Sequence, residues 1–248
     1  MERRQIVSIL DVDPELGDEL EPERRALAHR HALARVVRLE CGSWRPDELI
    51  GNQGLGLLIV DGLLLREVVL AGRQTGELLG PGDLFRPVDE GGELDAVPVR
   101  TTWHVCEPVR LAVLDQRFTA IAGRWPELID ALFLRSSRRS RCLAVQLTVG
   151  RVTRVDERLL IILWQLAERW GRVRADGVHV PLEVTHDTLA RLVGARRPSV
   201  TTGLGRLSRL EMVTRVRGGW LLHGDPQDHL AWMENADDAA MPVVLSAG

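Results

Sequence analysis

Apolar residues recur along this chain at two different intervals, and the interval changes near its middle. Toward the C-terminus it is helical. Leu189, Leu192 and Val193 form one stripe behind Thr185, a good N-cap, so a helix is predicted over 186–193. Gly194 ends it, because glycine takes a left-handed C-cap conformation without a Cβ penalty. Pro198 falls in the first turn of a second helix, where a missing N–H is harmless. That helix is predicted over 197–210, with Val200, Leu204, Leu207 and Leu210 on one face and Pro198, Thr201, Thr202, Gly205 and Arg209 on the other. Residues 212–217 and 220–222 read as two short strands around Gly218-Gly219.

Upstream the apolar runs are short and strand-like. After a polar helix over 21–30, strands are predicted at 35–39 and 57–60, with Asp61-Gly62 as a hairpin turn into a third strand at 63–70. A glycine-rich turn region at 76–83 and strands at 99–105 and 109–114 complete a small β-barrel or jelly roll able to hold a ligand. Pro126 then opens a long helix to about Val149. Ile129, Phe133, Leu143 and Leu147 lie on one stripe with Ser136 and Ser140 in its middle, so two copies could meet at the serines as a dimer seam. The alternative is a helix packed on its own barrel. Arg135, Arg138, Arg139 and Arg141 read as a solvated or partner-facing surface. A Leu/Ile-rich helix over 156–170 supplies the first core element of a C-terminal domain.

The resulting division is a β-domain at 1–124, a dimerisation helix at 125–150, a helical domain with a terminal hairpin at 151–224 and an acidic tail at 225–248. The tail is expected to be disordered or loosely packed, or to shield the basic domain. Charge follows the same division. Residues 1–124 carry 15 arginines against 21 acidic residues, 125–224 carry 17 against 9, and the last 24 residues carry 5 acids and no arginine. A basic segment inside a mildly acidic chain is the electrostatic footprint of phosphate contact. All 32 cationic residues are arginine, which fits a GC-rich genome and makes arginine at any one position uninformative.

Other chemistries find little support. Cys41, Cys106 and Cys142 form no CxxC pair, and His29 and His31 read as surface residues, so no metal and no cofactor are expected. Nucleophile-elbow and Walker signatures are lacking, which argues against an enzyme. Without a long apolar run the chain is expected in the cytoplasm, away from membranes.

A helix, a glycine turn, an arginine-opened second helix and a glycine hairpin, in that order, make a winged helix-turn-helix. Thr185, Arg196, Arg197, Pro198, Ser199, Thr201, Thr202, Arg206 and Arg209, with Arg215 and Arg217 on the wing, are the candidate contacts to double-stranded DNA. The pattern T-x-x-x-L-A-x-L-V-G-x-x-R-x-x-V-x-x-x-L-x-x-L, starting at Thr185, resembles that of the CRP/FNR family of bacterial transcription regulators. The resemblance implies an α+β chain: an N-terminal double-stranded β-helix (jelly-roll) barrel like a cyclic-nucleotide-binding domain, a long dimerisation helix and a C-terminal winged helix-turn-helix. It also implies a homodimer on a near-palindromic promoter site, RNA polymerase as a partner and control by a small-molecule effector.

Departures from the family pattern qualify this. A Glu in the family follows the first arginine of the second helix and another Arg comes four residues after it; here Pro198 and Thr202 stand there, so a different half-site is expected. Gly92-Glu93-Leu94 and Arg100-Thr101 are the counterparts of the cyclic-phosphate site, at a shortened interval. Leu143 and Ala144 occupy the positions that would offer hydroxyls to adenine. The cAMP site is therefore read as degenerate and the effector as unknown. The competing function is a small-molecule-binding module whose helix-turn-helix serves protein contacts.

Overall fold

Leu57, Leu58 and Ile59 are consecutive and all buried, which is possible in a strand only when both faces of the sheet are covered. The computed structural model describes residues 5–46, 49, 54–87 and 99–238, and the chain divides into two compact units, Met1–Ala144 and Val145–Gly248. The first unit holds β1 (Gln5–Ser8), α1 (Ile9–Val12), a 3-10 turn (Pro14–Gly17), α2 (Pro22–His31), β2 (Leu33–Leu39), β3 (Gly42–Trp44), β4 (Gly54–Leu70), β5 (Arg73–Leu79), β6 (Leu84–Phe85), β7 (Arg100–Asp115), α3 (Gln116–Ala122) and the larger part of α4 (Pro126–Val149). Its strands pair antiparallel in the order β1-β2-β7-β4-β5, with β3 on β7 and β6 on β4.

Leu58, Ala112 and Leu114 face a core shared with Ile9, Ala28, Phe118, Leu128 and Leu132 of the helices. Alternating positions Leu57, Ile59, Trp103, Val105, Leu111 and Val113 face a second core that includes Phe85, against which Trp44 packs. The rings of Trp44, Phe85 and Trp103 lie 5.1 to 6.4 Å apart, so aromatic side chains fill this inner face of the roll among the described residues.

The Asp61-Gly62 hairpin does not exist. β4 runs straight through it, paired with β7 from Gly54 opposite Asp115 to Val69 opposite Arg100, and the register shifts around Asp61 and Leu63 mark a bulge. The two strands expected at 99–105 and 109–114 are correspondingly one. Asp61 pairs with Arg110 across the ladder, and Gly62, at φ +85°, lies so close to β7 that a Cβ would collide with the Pro108 carbonyl oxygen. A turn signature thus became a bend in a strand held along its whole length. The tight turn lies further on, at Ala71-Gly72, where both residues have positive φ.

Two of the four arginines expected on a solvated surface are pinned to this unit instead. Arg139 grips Glu77 of β5 at 2.7 and 2.9 Å, and Arg66 of β4 reaches the same carboxylate at 3.0 Å. Burial alone would raise the Glu77 pKa, but the two guanidinium groups outweigh it and hold the carboxyl below its ordinary value. Arg135 bonds Asp13 at 2.8 Å and Glu15 at 2.8 Å; at Asp13 burial prevails and its pKa is raised.

The second unit contains α5 (Val155–Trp170), β8 (Arg172–Arg174), β9 (Gly177–Val180), α6 (His186–Val193), α7 (Arg197–Arg209), β10 (Val213–Val216), β11 (Gly219–Leu222) and α8 (Pro226–Asp238). Leu159, Leu163, Val180, Leu189, Val200, Leu207 and Leu222 are fully buried at its centre. The expected wing hairpin is half of a four-stranded sheet, ordered β10-β11-β9-β8. Residues 226–238 of the acidic tail are a helix: Asp225 caps it by accepting the Gln227 N–H at 2.7 Å, and His229 is buried.

Replacing Gly62 with alanine should cost about 3 kcal/mol or more, since the new methyl group would force β4 from β7. Gly72→Ala, at φ +74° with nothing within 4 Å, should cost only about 1 kcal/mol of left-handed strain. Urea denaturation of the two variants checks the contrast.

Candidate nucleic-acid interface

Thr185 Oγ1 accepts the Thr188 N–H at 3.1 Å, which starts α6, and Gly194 ends it at φ 62°, ψ 41°. Arg196 then occupies the N-cap position of α7 without using its side chain there. The inner face of α7 is Val200, Gly203, Leu204 and Leu207, all buried. Leu210 lies just past the last turn and is 44% exposed, so it does not belong to that face despite its helical spacing.

The outer face exposes Arg197, Pro198, Ser199, Thr201, Thr202, Gly205, Arg206 and Arg209. Thr201 and Thr202 donate their hydroxyls to the carbonyls of Arg197 and Pro198 at 3.2 and 3.1 Å. A Cβ at Gly205 would meet nothing within 4 Å, so the middle of the face is low and open.

The arginines differ in availability. Arg196 and Arg217 are exposed and have no ion-pair partner among the described residues. Arg197 lies 3.8 Å from Asp187, both largely exposed, an arrangement worth little in water. Arg209 donates to the Gly205 carbonyl, and Arg215 lies over the Trp220 ring at 4.6 Å. Arg206 stands apart: its guanidinium is 3.0 Å from Asp156, a buried carboxylate at the start of α5. Burial would raise the Asp156 pKa, but Arg154 and then Arg206 overcome it and lower it.

His186 belongs to this site although no sequence pattern marks it. Its Nδ1 lies 3.1 Å from Thr201 Oγ1, and its ring stacks on Trp220 with centroids 6.3 Å apart and planes 29° apart. The Thr201 hydroxyl lies within reach of both the Arg197 carbonyl and this ring nitrogen. His186 therefore joins α6, α7 and the wing. Its only sequence signal is its place beside the cap, because contacts across three elements leave no periodicity.

Comparison with known proteins matches this arrangement. The profile of the Crp-like helix-turn-helix domain covers residues 157–227. Among solved structures, a CooA variant from Carboxydothermus hydrogenoformans superposes with a TM-score of 0.61 at 17% identity, over 81% of this chain and 88% of that one. FixK2 from Bradyrhizobium japonicum gives 0.58 at 13%, over 80% and 96%. TTHA1359, a CRP/FNR-family transcriptional regulator from Thermus thermophilus, gives 0.50 at 23%, over 80% and 98%. No curated protein matches by sequence. The fold is that of the CRP/FNR-type structures it superposes on, and residues 157–227 are a Crp-like helix-turn-helix domain.

The Crp-like profile ends at residue 227, just inside α8, so nearly all of that helix lies outside it. Within the second unit α8 packs on α5, where the Trp164 indole N–H donates to His229 Nδ1 at 2.9 Å. Five residues make up the expected effector site. Gly92, Glu93 and Leu94 lie outside the described residues, while Arg100 is exposed at the start of β7 and Thr101, half-buried, pairs with Val68. Of the six seam residues, Phe133, Ser140 and Leu147 are exposed, Ser136 and Leu143 are half-buried, and Ile129 packs against the core of its own unit.

Gly205→Ala should raise stability by about 1 kcal/mol through helix propensity. Gly203→Ala should lower it by a similar amount, because its Cβ would sit 2.9 Å from Leu159 Cδ1 and 3.3 Å from the Asp156 amide nitrogen. Thermal melts of both variants give the signs. Burial depresses the His229 pKa, against the opposing pull of Asp228 and Asp225. The folded state then binds fewer protons than the unfolded one, so the stability from neutral His229 is complete above about pH 6.5 and lost as pH falls through the folded value. An acid titration should show this loss, and His229→Gln, which retains an acceptor that does not titrate, should abolish it.

Proposed function

We propose that the protein is a sequence-specific transcription regulator that binds double-stranded DNA as a homodimer, with one α7 in the major groove of each half of a near-palindromic promoter site. The observation that carries this reading is the outer face of α7, small and open at Thr201, Thr202 and Gly205 and cationic at Arg196 and Arg197. Such a face admits close approach to base edges, with threonine methyls and the Pro198 ring suited to thymine methyls. Thr185, at the start of α6, and Arg215 and Arg217, on the wing, flank it as phosphate contacts. Pro198 and Thr202 favour a half-site unlike the family's familiar one.

Homodimerisation is supported by α4, where Phe133 and Leu147 are 67% and 77% exposed and Leu134 and Val145 are also exposed. Apolar side chains this open on one helix invite a second copy. The seam proposed on this basis leaves out Ile129 and centres on Phe133, Ser140 and Leu147. RNA polymerase is the further partner in this reading. The effector of the β-roll is a small molecule other than cAMP, a choice supported by Leu143 and Ala144, whose side chains offer adenine no hydroxyl. No helix among the described residues is long and apolar enough to cross a membrane, and the proposed place of action is the cytoplasm.

Purified protein mixed with genomic fragments at moderate salt should retain a defined sequence, and affinity for it should fall steeply with salt. Arg197→Ala and Arg217→Ala should each weaken binding and reduce the logarithmic salt slope by about 0.9, the value of one phosphate contact. Retention of no sequence above random DNA would remove this reading in favour of a helix-turn-helix that serves protein contacts.

A further inference from the structure

Four groups meet where α7 approaches α5: Asp156, Arg154, Arg206 and Trp232. Asp156 occupies the first turn of α5, where a carboxylate is favoured by the helix dipole, and its side chain is only 7% exposed. Arg154 bonds its two oxygens at 3.3 and 2.8 Å, and Arg206 reaches one of them at 3.0 Å. Over both guanidinium groups lies Trp232 of α8, with its ring 5.4 Å from the Arg154 Cζ and 6.0 Å from the Arg206 Cζ.

Resting on the DNA-binding reading, we propose that Trp232, Arg206 and Asp156 form a clamp that positions the recognition helix on α5. Arg206 acts on DNA through the orientation of α7 and does not itself neutralise a phosphate. This replaces the groove-contact role that its sequence position indicates.

Three observations support the clamp. A buried carboxylate is costly unless paired, so withdrawing Arg206 toward a phosphate would leave Asp156 with one cation where it now has two. Gly203, three residues before Arg206, rests on the backbone of Asp156, where a Cβ would be 3.3 Å from its amide nitrogen. The glycine sets how near α7 comes to α5, and the arginine fixes the rotation of α7 about its axis. Lastly, α8 is fastened at discrete points. His229 accepts from Trp164, Trp232 meets the two arginines, and beneath the helix lies a cavity of about 440 Å³ lined by Ile161, Val178, Leu230 and Met233 among others. A helix held this way transmits the loss of one anchor to what that anchor orders.

The test uses the full chain with Trp232→Ala, Trp232→Phe and Arg206→Gln, read in two ways. In hydrogen exchange, Trp232→Ala should speed exchange of the α7 amides about tenfold while the α6 amides keep their rates, and Trp232→Phe should stay near the parent chain. On the selected DNA sequence, Trp232→Ala and Arg206→Gln should each weaken specific binding about tenfold without changing the salt slope. Combining them should add nothing further, as expected of residues acting as one unit. A fall of about 0.9 in the slope for Arg206→Gln would make Arg206 a phosphate contact and overturn the proposal. So would tighter binding by Trp232→Ala, which would make α8 a mask, or unchanged α7 exchange in that variant. If Trp232→Ala does not fold, Arg206→Gln and Trp232→Phe decide by the same readings. If the parent chain selects no DNA, the functional reading fails while exchange in α7 still decides the clamp.

Discussion

The close seat of α7 on the first turn of α5 is the contact on which the reader depends. Gly203 removes the side chain that would hold the helices apart, and Val200, Leu204 and Leu207 then bury themselves on either side of it. With its inner face committed to packing, α7 leaves the middle of its outer face, at Thr201, Thr202 and Gly205, low and open. The same seat brings Arg206 within reach of Asp156, so a helix-packing requirement and an electrostatic one are met at a single point. Core apolar burial supplies most of the energy here and the ion pair supplies direction, the usual division between non-directional and directional forces.

In the first unit the comparable constraint is the long β4/β7 ladder. Both strands carry apolar side chains on both faces, and the sheet stays ordered because helices cover one face and the inner core fills the other. Glu77, between Arg66 and Arg139, then ties α4 to the edge of that sheet. A buried carboxylate with two guanidinium partners resists displacement more than a surface pair would, since loss of either partner exposes the other charges to an apolar setting.

The reader is legible in the sequence for reasons that can be named. Thr185, Gly194 and Pro198 are local signals whose meaning does not depend on distant residues, and the apolar stripes of α6 and α7 are uninterrupted. The long helix from Pro126 to Val149 is equally plain. In the β-domain the alternation is hidden because Leu57, Leu58 and Ile59 are buried on both faces, and Asp61-Gly62 has the same residues whether it turns a hairpin or bends a strand. β8 gives no pattern because Arg172, Val173 and Arg174 are all exposed. The helix after Asp225 is obscured by its acidic composition, although its cap and the spacing of His229, Trp232 and Met233 are present to be read. Arg206 escapes sequence reasoning because periodicity assigns a residue to a face but says nothing of an acid waiting on another helix.

His186 gives the reader a mechanical property of its own. By bonding Thr201 and stacking on Trp220 it braces helix, helix and wing against one another, and Trp220 belongs to a strand held on both edges by neighbours in its sheet. On the proposed DNA-binding function, a helix-turn-helix braced in this way leaves adaptation to the duplex. Under that proposal, bending and twisting become part of what is recognised, and base pairs that no side chain touches influence affinity through their stiffness.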